Sequence, residues 1–276
     1  MTEEPASRTE GSAPDVEATS SAEAAQPGAS ALEEALSLIE AATEGGIPVR
    51  LVGGLAVQVL CPNFPPRVRE AQDLDLASVS RTGRALTEFL EERGYVGDKT
   101  FNALYGRKQL FFSHGDTGRT LDVMVDRIEM CHTIEFKDRI EQLPYTLDLL
   151  DLLMSKLQII ELNEKDAQDV IYLLSAYRVG EPGGGDVIDL KVFRQVLGDD
   201  WGWWRTVTMN LDRIRALLEV DHERLVPANA SFDPVEQLGV LHRAADEAPK
   251  SFRWKMRSRV GDRVRWYQEP EESVHH

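Results

Sequence analysis

Two aspartates one residue apart, Asp73-Leu74-Asp75-Leu76, and a third set between apolar neighbours, Leu121-Asp122-Val123, are the residues of this 276-residue chain whose types and spacing suit chemistry. In a strand the side chains alternate, so Asp73 and Asp75 share one face while Leu74 and Leu76 turn to the core. If the strand of Asp122 lies beside theirs, about 4.8 Å away, its carboxylate joins the same face and Leu121 and Val123 point inward. Three clustered acids repel one another unless a cation sits among them, and hard oxygen ligands with open positions suit Mg²⁺. Gly53-Gly54 follows Leu51-Val52 where a strand gives way to a helix. Without a Cβ the backbone there can approach a phosphate chain, and a helix N-terminus offers unpaired N–H groups. Acids plus a phosphate cradle describe a metal-dependent phosphoryl-transfer site. The plainer readings are a solvated strand edge and a simple tight turn. Asp126 competes with Asp122 as third ligand, but four residues span about 13 Å of strand, so only one of the two can serve.

These residues need elements to hold them. Leu32, Ala35, Leu36 and Ile39 recur at helical spacing from Ala31 until Gly45-Gly46. A strand over 48–52, a helix from Gly53 through Cys61, a Pro-rich loop over 62–66 and an extended run over 73–79 follow. A helix over 82–93 stops at Gly94, and strands over 108–113 and 119–126 flank a turn at 114–118, which makes them an antiparallel hairpin. Beyond residue 146 the pattern turns helical, over 147–162, 164–177, 189–197, 205–220 and 234–259, with the Gly-rich run 180–185 as a linker. The sequence predicts a disordered acidic tail over 1–30, an α/β domain over 31–145 and a helical region over 146–276.

Gly53-Gly54, Arg69 four residues before Asp73, the Asp-x-Asp pair and the later strand aspartate Asp122 resemble the minimal nucleotidyltransferases, specifically the AbiEii-like branch known from bacterial toxin–antitoxin and abortive-infection systems. Lys156 in Ser155-Lys156-Leu157, then Lys165-Asp166-Ala167-Gln168-Asp169, is similar to that branch's helical Lys and Asp-x-x-Asp motifs. The resemblance covers roughly residues 47–177, with Gly54 where many relatives carry Ser. It implies an α/β (α+β) class, a nucleotidyltransferase-fold mixed sheet followed by a helical domain. It further implies that Asp73, Asp75 and Asp122 hold Mg²⁺, two ions in all, and that Gly53, Gly54 and Arg69 bind the nucleotide. Lys156 would neutralise triphosphate charge, and Asp166 and Asp169, on one helix face, would order Lys156 or the acceptor. Arg69 either binds phosphate or bridges the aspartates.

By the same resemblance the reaction moves a nucleoside monophosphate from an NTP to an acceptor. An RNA 3′ end leads, a small antibiotic-type hydroxylated molecule is the alternative, and a non-catalytic nucleotide- or partner-binding module is the third reading. A cognate antitoxin protein is the implied partner. The formal charge of −16 disfavours nucleic acid only if it is spread evenly. It is not: 250–265 carries seven Lys and Arg against Asp262 alone, with Trp254, Trp266 and Tyr267 nearby, which reads either as an RNA-guiding patch or as a solvated helix face. Trp201, Trp203 and Trp204 read as core or as base-stacking surface. Cys131-His132 lacks spaced partners for a nucleophile, and two cysteines make no disulfide framework. No apolar run reaches the roughly 20 residues of a membrane span, and the first twenty residues lack a signal-peptide pattern, so a cytoplasmic protein is expected. His275-His276 is given no role.

Overall fold

The computed structural model describes Met1 and residues 30–65, 73–181 and 186–269. The acidic tail, Arg69, the run 182–185 and His275-His276 lie outside those residues. In chain order the elements are α1 (Ala31–Glu44), β1 (Val49–Leu51), α2 (Gly53–Leu60), β2 (Leu74–Ser78), α3 (Gly83–Glu91), β3 (Tyr95–Gly97), α4 (Lys99–Tyr105), β4 (Gln109–His114), β5 (Thr120–Val125), β6 (Arg127–Glu129) and β7 (Thr133–Glu135). Then come α5 (Leu149–Leu157), α6 (Glu164–Ala176), β8 (Arg178–Gly180), β9 (Val187–Asp189), α7 (Leu190–Asp199), α8 (Trp201–Leu225), α9 (Pro234–Glu247) and α10 (Phe252–Ser258). The chain is thus α/β in front and helical behind, as its pattern predicts, and the sheet is mixed.

The five-stranded sheet runs β1-β2-β5-β4-β3, with β2 and β5 parallel and the other neighbours antiparallel. Leu74, Leu76, Leu121 and Val123 are buried on one face of the central pair, so the alternation read from the sequence holds there. The outer edge of β1 is closed by the segment entering α5: Leu51 N–H donates to Tyr145 O and Leu147 N–H to Leu51 O, at 2.8 and 3.1 Å. That pairing covers backbone groups an open edge would leave bare and fastens the helical half to the sheet. One apolar core continues across both, joining Leu51 and Leu76 to Leu153, Leu174 and Leu211.

Side-chain caps explain most helix starts: Ser30 makes a full capping box with Glu33, and Asp148, Asn163 and Asp200 accept from the first turns of α5, α6 and α8. Three elements differ from expectation. The helix read over 234–259 is two helices, because Pro249 has no N–H and drives Ala248 out of helical geometry (ψ 130°). The Gly-rich run joins two strands, β8 and β9, that pair in parallel. The short elements β3, α4 and the β6-β7 hairpin escape detection because three to seven residues are too few to establish a period. No helix among the described residues is long and apolar enough to cross a membrane.

The tryptophans pack inside. Trp203 stacks on His132 at 4.6 Å, Trp204 meets Trp254 edge-on at 5.4 Å, and Trp201 and Trp203 are each only 6% exposed; they offer no platform for bases. His132 also shares a 2.8 Å hydrogen bond with Thr206. Burial pushes its imidazole down to about 4 from 6.5, against an opposing pull from Asp200. Below pH 6.5 the unfolded chain therefore binds a proton that the folded protein refuses, and stability falls as pH drops from 6.5 to about 4. The shift amounts to about 3 kcal/mol. His132→Gln, which keeps a partner for Thr206, should remove most of that acid sensitivity in denaturant titrations at pH 7 and pH 4. Equal pH dependence in parent and variant would place the acid-labile group elsewhere.

Candidate active site

The carboxylates of Asp75 and Asp122 face each other across the central strands. Parallel pairing puts Asp75 opposite Asp122, Leu74 opposite Leu121 and Leu76 opposite Val123. Because paired residues point to the same side, both carboxylates stand on the face opposite the buried leucines. Each is half-buried. Two like charges held on adjacent strands are destabilising without a compensating cation.

Gly53 closes on this pair. Its φ is +66°, in the left-handed region that glycine enters without penalty. A Cβ there would lie 2.6 Å from Asp75 Oδ2, so only glycine lets the backbone sit against the carboxylate. Val52 N–H donates to Asp75 O at 3.0 Å, tying the start of α2 to β2. The N-cap of α2 is Val52, which has no side-chain acceptor, whereas α1, α5 and α6 are capped by Ser30, Asp148 and Asn163. The first N–H groups of α2 thus start beside the aspartates with no side-chain cap, the arrangement that receives phosphate oxygens.

Asp73 does not complete a three-carboxylate group. It precedes β2 on the exposed side, and Thr120 Oγ1 donates to its Oδ1. Among the described residues, no three of His, Cys, Asp and Glu converge closely enough to enclose a metal ion. The expected convergence of all three aspartates is therefore met by two in register, while the third is engaged by the hydroxyl on the neighbouring strand. The donor chemistry still fits Mg²⁺, which takes one or two carboxylates and fills its remaining positions with water and phosphate.

Asp126 is removed from the contest with Asp122. β5 ends at Val125, and Asp126 adopts φ +64° in the turn beyond. Its Oδ1 accepts from Ser80 N–H at 3.0 Å and its carbonyl accepts from Phe136 and Lys137. Burial raises its carboxyl, but the Ser80 contact, Lys137 and Arg127 outweigh that and leave it below the usual range. Asp126 anchors a turn.

Lys156, Asp166 and Asp169 come together as a separate cluster. Lys156 Nζ lies 2.8 Å from Asp166 Oδ1 and 3.0 Å from Asp169 Oδ2, with Asp169 fully buried. Asp166 and Asp169 do order Lys156. They do so against the C-terminal end of α2: burial, then the charge of Asp169, push the Cys61 thiol up to about 12. Gly53 is at the other end of that helix, about 12 Å away by its rise.

Two contributors were missed in the sequence, Gln109 and Thr120. Gln109 Nε2 donates to Asp122 Oδ1 at 2.6 Å, from a β4 position paired with Met124 and therefore diagonal to Asp122. The spacing of Thr120 two residues before Asp122 puts them on one face and was available in the sequence; the diagonal reach of Gln109 needs the hairpin register.

No family profile matches the chain, and no curated protein matches it in sequence. Among solved structures, the crystal structure of ANT(2″)-Ia in complex with adenylyl-2″-tobramycin is similar at 13% identity and a TM-score of 0.36, over 51% of this chain and 86% of that one. The solution structure of the antibiotic-resistance factor ANT(2″)-Ia gives 14% identity and a TM-score of 0.37 over 69% and 96%. An antigenic nucleotidyltransferase-like protein from Paracoccidioides brasiliensis gives 13% and 0.38 over 80% and 94%. Likenesses this distant leave the functional conclusion to the site itself, where Asp75 and Asp122 stand in register beside the Gly53 backbone.

Proposed function

We propose that the protein is a Mg²⁺-dependent nucleotidyltransferase that moves a nucleoside monophosphate from an NTP to an acceptor hydroxyl, with an RNA 3′ end as acceptor. The observation that carries this reading is the parallel register of Asp75 with Asp122 against a glycine whose Cβ would strike Asp75. Asp75 and Asp122 would hold Mg²⁺, joined by Asp73 once it exchanges its Thr120 partner. Bound there, the metal would neutralise triphosphate charge and lower the pKa of the attacking hydroxyl. The backbone of Gly53-Gly54 and the first N–H groups of α2 bind phosphate oxygens. Asp122, oriented by Gln109, helps to activate the acceptor. Lys156 contributes to nucleotide binding only by leaving Asp166 and Asp169, so in this reading the trio first fixes α6 against α5 and α2.

RNA as acceptor is supported by the surface of α10 and the turn after it. Arg253, Lys255, Arg259 and Arg263 are exposed and have no carboxylate partner among the described residues, and Phe252 beside them is 79% exposed. Arg257 belongs to the structure instead: it donates to Gly261 O and Val264 O and lies 4.7 Å over the Trp201 ring. The test incubates the protein with each α-labelled NTP, Mg²⁺ and total RNA across a salt series. Arg253→Glu with Arg259→Glu should weaken RNA labelling and flatten its salt dependence by about 0.7 per cation lost. Label entering a small molecule would make that the acceptor, and absence of transfer from any NTP to any acceptor would overturn the enzyme reading.

A further inference from the structure

We infer that Gln109 is a positioning residue for Asp122, holding its carboxylate in place without removing its charge; this rests on the metal-site reading above. The backbone on either side of Gln109 is fixed. Lys108 O accepts from Val125 N–H at 2.8 Å, and Phe111 O accepts from Asp98 N–H at 3.0 Å. Gln109 is directly opposite Met124 and Phe111 directly opposite Asp122, so the amide reaches diagonally along one face of the β4-β5 ladder. The 2.6 Å contact takes Asp122 Oδ1 and restricts the rotation of that half-buried carboxylate.

The chemistry of the donor matters as much as its reach. The amide of Gln109 differs in charge from the side chains that meet other acids of this chain, where Arg119 faces Glu34, Arg139 faces Asp151 and Lys156 faces Asp166 and Asp169. A guanidinium or ammonium at position 109 would cancel the charge of Asp122 and compete with a divalent ion. A neutral amide orients the oxygen and brings no positive charge of its own to the site, which is how outer partners tune metal ligands. Thr120 treats Asp73 in the same way, with a neutral hydroxyl. Asp122 and Asp73 thus each accept from an uncharged donor, Gln109 across the β4-β5 ladder and Thr120 across the continuation of the β2-β5 ladder.

The experiment is Mn²⁺ binding, followed by electron paramagnetic resonance in the presence of a non-hydrolysable α,β-methylene ATP analogue, on the full chain. Gln109→Leu should weaken Mn²⁺ binding about tenfold to a hundredfold with an unchanged melting temperature. Gln109→His, a neutral N–H donor of comparable reach, should restore most of it, a rescue that a merely structural role would not produce. If the leucine variant does not fold, Gln109→Asn, one methylene too short, takes its place with the same expectation. Parent-like Mn²⁺ affinity in Gln109→Leu or Gln109→Asn, with loss in Asp122→Asn, would overturn the role of Gln109 and leave the metal site standing. A loss that histidine does not repair would also overturn it. Parent-like affinity in Asp122→Asn would instead overturn the metal-site reading.

Discussion

Asp75→Asn and Asp122→Asn should each slow transfer of labelled nucleotide by at least about a thousandfold in single-turnover reactions. Each removes one charge from the pair that stands in register on β2 and β5, while the shape of the side chain is nearly unchanged. Loss of a metal-binding carboxylate removes several kcal/mol of transition-state stabilisation, and each 1.36 kcal/mol is tenfold in rate. Asp126→Asn is the matched control. Asparagine tolerates the left-handed backbone at that position, and its carbonyl oxygen can still accept from Ser80 N–H, so transfer should change less than about twofold, the small effect usual away from a site. Comparable losses at 122 and 126 would mean that the charge of this surface, not the Asp75–Asp122 pair, drives the reaction.

Gly53→Ala should abolish most nucleotide affinity, by about a hundredfold, the cost that a displacement of about 1 Å imposes on an aligned site. The added methyl would lie 2.6 Å from Asp75 Oδ2 and force either the carboxylate or the start of α2 to move. It also places an L side chain at φ +66°, which costs roughly 1–2 kcal/mol in stability. Gly46→Ala separates the two effects. Its φ is +69°, and a Cβ there meets nothing within 4 Å, so it carries the backbone strain without the crowding. Calorimetric titration with Mg²⁺-NTP should therefore find Gly46→Ala binding like the parent, and denaturant titration should find both variants destabilised, Gly53→Ala by at least as much as Gly46→Ala. Parent-like binding by Gly53→Ala would remove the glycine from the phosphate cradle.

Local patterns carried a large part of this in the sequence. The alternation of Asp73, Leu74, Asp75 and Leu76, repeated by Leu121, Asp122 and Val123, decides by itself which side chains share a face, because strand periodicity is two whatever the strand's neighbours. Glycines at 53 and 54 mark the strand-to-helix turn, and the starts of α6 and α9 lie where the helical periodicity begins. Tertiary structure decided what distance along the chain leaves open. Register across 47 residues put Asp122 beside Asp75, and a slip of one residue would have turned it to the core. Pairing of β4 with β5 brought Gln109 to Asp122, and the continuation of the β2-β5 ladder gave Asp73 to Thr120 rather than to a common metal group. Packing of α6 on α5 turned Lys156 inward onto Asp166 and the buried Asp169. A lysine on a helix has no sequence mark for the partner it will meet, because that contact is fixed by how the two helices are placed and not by either helix alone.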